Sequence, residues 1–152
     1  MIRFLITAAL FSIAAPAFAA GQVALSSDVK VEKTQLVDGR QQVVLAPAAH
    51  VLPGDRLVLR TTYRNTGAAA ATRFVVTNPV PAAVAWTGDG STGVEASIDG
   101  GRTFGALAAL RVRGANGIAR PAIPADVTHL RWTLASIAPG GAGQLSYRGV
   151  VR

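Results

Sequence analysis

Four arginines, Arg60, Arg64, Arg131 and Arg148, are the side chains in this sequence best placed for binding chemistry. A guanidinium presents a rigid fork of donors that pairs with phosphate or carboxylate. All four fall on the outward parity of alternating stretches. If their strands neighbour one another, they make one basic sheet face on which an anionic envelope polymer, polysaccharide or lipid head group, could dock. The same residues would equally serve as a solvated face that resists aggregation. Few aromatics share that parity, which argues against a stacking platform for single-stranded nucleic acid.

Other chemistry lacks its residues. Cysteine is absent, so disulfides, thiolate nucleophiles, zinc–sulfur sites and a lipid-modified N-terminal cysteine are all excluded. His50 and His129 are the only histidines. They stand far apart, whereas zinc needs three or four ligands. The Asp89-Gly90 and Asp99-Gly100 pairs read as turns, without the closely spaced acids that wrap calcium. No G-x-S-x-G elbow is present, and Ser97, Ser136 and Ser146 have no base nearby in sequence. The eight acidic residues are scattered over turns and give no hint of the converging pair that glycoside hydrolysis requires. An isopeptide between Lys30 or Lys33 and the last strand is excluded because residues 145–152 hold no Asn or Asp. The expectation is a non-enzyme with no cofactor and no metal.

The elements that must position the arginines read as strands. Within residues 53–81, Leu57, Leu59, Thr61 and Tyr63 alternate with Arg56, Val58, Arg60, Thr62 and Arg64, so one face is apolar and the other basic. Pro53-Gly54-Asp55 and Asn65-Thr66-Gly67 are turn signals on either side. Phe74, Val75 and Val76 open the next strand, and Pro79 and Pro81 end it. Earlier, 23–34 alternates, and Asp38-Gly39 is a hairpin dipeptide between 33–37 and 41–45. Later strands are expected at 83–87, 94–98, 129–135 and 145–151. Residues 107–112 read as strand or irregular turn, and 121–126 as a loop. The expected core is Leu57, Leu59, Tyr63, Phe74, Val76, Trp86, Leu130, Trp132, Leu134, Leu145 and Tyr147. About eight or nine short strands without a helical period indicate an all-β fold, an immunoglobulin-like antiparallel β-sandwich.

Residues 1–19 read as an export signal. Arg3 precedes an apolar run, and Ala17-Phe18-Ala19 is a small-x-small cleavage site. The run is shorter than the ~20 residues that span a bilayer. A single domain over 20–152 is expected, with no transmembrane anchor once the leader is removed. Such a length suffices for one core that buries roughly two-thirds of the unfolded surface. Removing Arg3 from the 15 Lys and Arg leaves 14 against 8 acids, a net +6. That balance suits either solubility or an anionic partner.

Two resemblances bear on function. The order Pro53-Gly54-Asp55, alternating strand, Asn65-x-Gly67, Ala-rich turn, Val75-Val76 and Pro81 resembles the bacterial and archaeal "domain of unknown function 11" family. The ending, Trp132-x-Leu134, Ile137-Ala138-Pro139-Gly140 and a strand closing on Val150-Val151, fits it too, so the likeness covers about 51–152. Asn78 stands where that family usually carries an acid. The likeness implies an immunoglobulin-like domain of exported, envelope or surface proteins, often a spacer or adhesive stalk. Separately, Ser97-Ile98-Asp99-Gly100-Gly101-Arg102-Thr103-Phe104 matches the S-x-D-x-G-x-T-aromatic pattern of the Asp-box. That resemblance implies a hairpin turn. Ser97, Asp99 and Thr103 would satisfy backbone groups, Gly101 would lie within the turn, and Phe104 would be buried beneath. The function expected from all this is an exported, periplasmic or secreted, structural or protein-interaction module. The alternative is a binder of anionic polymer through the arginine face.

Overall fold

The computed structural model describes residues 23–115 and 117–152. The export signal read over 1–19 lies outside them. The described chain is all-β, with ten strands in three antiparallel sheets: β1 Val23–Val37, β2 Arg40–Pro47, β3 Arg56–Asn65, β4 Ala71–Pro79, β5 Val84–Gly90, β6 Glu95–Ser97, β7 Arg111–Arg113, β8 Ala119–Pro121, β9 His129–Ile137 and β10 Ala142–Val151. Among the described residues no helix is long and apolar enough to cross a membrane.

The five-stranded sheet runs β2-β1-β3-β10-β5, and the three-stranded sheet runs β4-β9-β6. They share one core. Val31, Leu57, Leu59, Leu145, Tyr147, Val84 and Trp86 from the larger sheet meet Val76, Leu130, Trp132 and Ala96 from the smaller. Strand alternation produces this directly, because every second side chain of β3, β9 and β10 points to the same side. Trp132 and Tyr147 sit across the sandwich with ring centroids 6.4 Å apart. Tyr63, Phe74 and Leu134, expected in the core, pack against it while only half-buried. All three lie toward the end of the sandwich that carries the β3–β4 loop, where less structure covers them. Val58 departs the other way. Its parity is outward, yet it is buried, because Lys30 and Arg148 flank it in register and their long stems shield it.

The strand count exceeds the eight or nine expected because residues 107–126 contain a small hairpin of their own. β7 pairs with β8, and single 3-10 turns lie at Leu107–Ala109 and Pro124–Asp126. The segment 121–126, expected as a loop, thus begins in strand and ends in a turn.

Asn65 fastens the two sheets at one end. Its Nδ2 donates to the Ala69 and Ile137 carbonyls at 2.8 Å each, and its Oδ1 accepts from Gly67 N at 2.9 Å. Its backbone is bonded to Gly140 and Gly141 of the β9–β10 turn. The Asn65-x-Gly67 signature is therefore a joint between loops distant in sequence.

Candidate interaction surface

The arginines do not form one face. Arg60 and Arg64 lie on β3 and Arg148 on β10, neighbours in the large sheet, but Arg131 lies on β9 in the other sheet. Alternation assigns a side chain to the inside or outside of its own sheet and does not say which sheet that is. The expected four-arginine face is corrected to Arg60, Arg64 and Arg148, joined by Arg56 and Lys30.

Two carboxylates hold most of these cations. Asp28 on β1 accepts Arg60 Nε at 3.0 Å and has Lys30 Nζ at 3.6 Å. Glu32, four residues after Asp28 and on the same face, receives Arg148 Nε at 3.1 Å and Arg56 Nε at 3.3 Å. The Arg60 guanidinium lowers the Asp28 pKa, and Asp28 in turn raises that of Arg60. Arg64, at the far end of the row, is exposed and faces Ala24 and Ala142 in register. The face is an ionic lattice with a surplus of positive charge. Arg131 has its own partner: Nε and Nη2 reach Glu95 Oε2 at 3.0 and 2.9 Å, and its Cζ sits 4.2 Å above the Phe104 ring.

Phe104 is accordingly half-exposed, a correction to the buried ring expected. It lies on the outer side of the small sheet, under the guanidinium. The other residues of its motif meet in one closed turn. Ala96 and Gly105 exchange backbone hydrogen bonds of 2.9 and 3.0 Å at the base. Asp99 Oδ1 accepts Ser97 Oγ at 2.7 Å, Thr103 N at 3.0 Å and Arg102 N at 3.1 Å, while Oδ2 accepts Thr103 Oγ1 at 2.6 Å. These donors, Thr103 Oγ1 foremost, hold the Asp99 carboxyl far below its usual range. Ser97 Oγ also receives Gly101 N at 3.0 Å. Gly101 has φ +84°, a left-handed conformation that favours glycine, and the His129 ring lies 3.4 Å from where a Cβ would sit. An open cleft of about 410 Å³ beside this turn is lined by Ile98, Leu110, Arg111 and Arg113, among others.

A second pocket, of about 270 Å³, opens between β1 and β4 where the small sheet stops short of the large one. Its polar groups bond one another. Asn78 Nδ2 donates to Thr61 Oγ1 at 2.8 Å, and Thr61 shares a 3.1 Å hydrogen bond with Ser27 Oγ. Tyr147, whose hydroxyl donates to the Pro79 carbonyl at 3.1 Å, is pushed up to about 12 by burial. Asn78 stitches the sheets as a neutral donor, and the three side chains form a tie with no acid in it.

The most exposed apolar surface was not legible as a site in the sequence. The β1–β3 pairing ends at Val31↔Leu57, but β1 continues to Val37 with β2 as its only partner strand among the described residues. A two-stranded arm results, turned by Asp38 and Gly39 at φ 49° and 76°. Lys33 Nζ pins its base to Asp55 Oδ1 at 3.2 Å. On its outer side Leu36, Val43 and Leu45 are 73%, 67% and 48% exposed. The signal was the uncharged run 41–46, which needed the strand order to be recognised as an edge.

Comparison with known proteins gives no match to a family model, a curated relative or a solved structure.

Proposed function

We propose that this chain is an exported, non-catalytic interaction module of the cell envelope or its exterior, built as an immunoglobulin-like sandwich. One observation carries the reading. The β1–β2 arm presents an edge that is uncharged along 41–46 and unpaired among the described residues, with Leu36, Val43 and Leu45 in water. Contiguous exposed apolar surface of this kind marks protein–protein contact. An edge strand recruits partners through its backbone. The turn-and-strand order over 51–152 supports the immunoglobulin-like reading, and the leader-like residues 1–19 support export.

The second reading is docking of an anionic polysaccharide or lipid head group on the large sheet's outer face. Lys30, Arg56, Arg60, Arg64 and Arg148 outnumber Asp28 and Glu32 there, which favours it. Against it, Arg60 and Arg148 already have carboxylate partners that an incoming anion must displace.

Capture from envelope extract at low and high salt tests both. The bait is the full-length chain expressed with its own leader, beside Arg60→Ser/Arg64→Ser/Arg148→Ser. Salt-resistant capture of one protein, kept in the variant, is the expected result. Salt-sensitive capture of polysaccharide or lipid, lost in the variant, would replace the first reading with the second.

A further inference from the structure

We infer that β2 is a self-association edge: two copies of the chain pair β2 against β2, antiparallel, across a two-fold axis. The inference deepens the interaction-module reading by naming a second copy as partner.

The backbone supplies the donors and acceptors. A two-residue hairpin loop makes Val37 and Arg40 a hydrogen-bonded pair, and bonded pairs then alternate along the ladder. Gln35–Gln42, Lys33–Val44 and Val31–Ala46 follow as bonded pairs. The N–H and C=O groups of Gln41, Val43 and Leu45 therefore point away from β1, to the open edge. Pro47, which has no N–H, closes the row.

The usual protections sit only at the ends of the strand, Arg40 at one and Pro47 at the other, and leave the run between them open. Exposed edges are normally blunted by a charge, a bulge, a kink or short length. The neighbouring edges have such devices. β5 is bulged between its pairings with Tyr147 and Gly149. β4 is kinked at Arg73, whose φ is 48°. β6 is three residues long and closed over by the Asp99 turn. β2 is straight in register for its whole length, and from Gln41 to Ala46 it carries no charge. Such a run, with Val43-Val44-Leu45 at its centre and free of charge and proline, is a template for strand addition.

Symmetry fixes the geometry. A strand pairing with itself across a two-fold must be antiparallel, and opposed residues must lie on the same sheet face. The two registers nearest the strand's middle satisfy this. Centring on Val44 sets Val43 against Leu45 of the second copy and Leu45 against its Val43. Gln41 then reaches the carbonyl of Pro47 of the second copy. Centring on Val43 would set Leu45 against Gln41 instead. The Val44 register gathers the exposed valines and leucines into one apolar cluster on the outer face, with Leu36 beside it, so it is the favoured one. Arg40 falls opposite Ala48 of the second copy, and no like charges meet. The large sheets of two copies would then run on as one continuous sheet.

A single strand pair buries less than the ~1,200 Å² of a standard interface, so association is weak and concentration-dependent. The chain has no cysteine, which makes the test direct. In the Val44-centred register the two Val44 residues form a non-hydrogen-bonded pair with Cα atoms about 4.5 Å apart. That lies within the roughly 4.4–6.8 Å a disulfide spans. Full-length chain carrying Val44→Cys should oxidise to a covalent dimer many times faster than chain carrying Val75→Cys, exposed on β4. Sedimentation of the unsubstituted chain from micromolar to millimolar concentration should show a monomer–dimer equilibrium. Val43→Lys, and separately Leu45→Lys, should shift it to monomer with an unchanged circular dichroism spectrum. A monomer at every concentration, equal cross-linking at positions 44 and 75, or assemblies growing past the dimer would each overturn the inference. A strictly monomeric chain that still captures one envelope protein would remove the second copy as partner and leave the module reading standing.

Discussion

The two edges of the five-stranded sheet are built on opposite principles. At one edge, β5 is tied down at every step. Trp86 is buried and its Nε1 donates to the Asp89 carbonyl at 2.9 Å. The bulge carries Gly88 at φ 91°. Ser91 N bonds Ser146 O at 2.8 Å, and Arg152 N bonds Ala83 O at 2.8 Å. At the other edge, β2 is straight, uncharged along 41–46 and largely exposed on both faces. Both edges face the same solvent and belong to one sheet, so the difference lies in the side chains each strand was given. An edge that must stay alone is bent, bulged and anchored. An edge without those devices is poised to acquire a neighbour.

Matched truncations at the two edges give the largest contrast. Trp86→Ala should cost about 3–5 kcal/mol, since it removes a large ring from the shared core and orphans the Asp89 carbonyl. Leu45→Ala, on the exposed strand, should stay within about 0.5 kcal/mol in dilute solution, where the chain is monomeric. Urea denaturation followed by tryptophan fluorescence measures the second, and circular dichroism the first. Equal losses at the two positions would mean that β2 is part of the packed core.

Asn65→Ala comes next. It strands Ile137 O, buried beneath the β3–β4 loop, and also frees Ala69 O and Gly67 N, so about 2–3 kcal/mol should be lost. Amide exchange should rise at Gly140 and Gly141, whose bonds to the Asn65 backbone lose their support, and stay level along β2. Gly149→Ala should cost about 1–3 kcal/mol, because a Cβ there collides with Val84 and approaches the Ala85 carbonyl at 3.2 Å. The space that glycine leaves open is what lets β5 lie tightly on β10. Loss of stability without loss of dimerisation in this variant would show that the two edges act independently.

Much of this was written in local pattern. Asp38-Gly39 announced its hairpin because the two-residue turn needs positive φ at both positions, and Val37↔Arg40 closes it as the dipeptide implies. The alternation of Leu57 and Leu59 with Arg56 and Arg60 gave the inside and outside of β3. What local pattern could not give was neighbourhood. Arg131 has the same outward parity as Arg60 yet belongs to the other sheet, because strand order is decided by packing between distant segments. Phe104 was expected inside, since nothing in its motif encodes the guanidinium of residue 131 that covers it from outside. β8 spans Ala119–Pro121, too short for any period to show. Residues 41–45 read as one strand of a hairpin, and only the strand order turns it into an open edge.

The smallest expected effect separates the edges by pH. The turn at Pro124–Asp126 packs against β5: a Cβ at Gly88 would meet Pro124 Cγ at 3.7 Å. Asp126 holds that turn. It pairs with Arg120 in two parallel bonds of 2.7 and 2.8 Å and accepts Ile123 N at 2.8 Å. Arg120 foremost, then that N–H, lowers the Asp126 carboxyl to about 2. A carboxyl whose pKa is lower in the folded chain than in the unfolded one stabilises the fold above its unfolded value. That contribution drains away as protons are taken up on the way down to the folded value. The window is therefore from about pH 4 to about pH 2. Protection factors at Ile123 and in β5 should fall across it; the β1–β2 ladder has its own lowered carboxyls, Asp28 on β1 and Asp55 at the arm's base, so any fall there is independent of Asp126. Arg120→Gln should raise the folded value toward the ordinary aspartate range, so the lower end of the window moves up and the fall in β5 shrinks, with the β1–β2 profile unchanged. A fall in β5 that Arg120→Gln leaves unchanged would instead mean that the Asp126 turn is not what anchors β5.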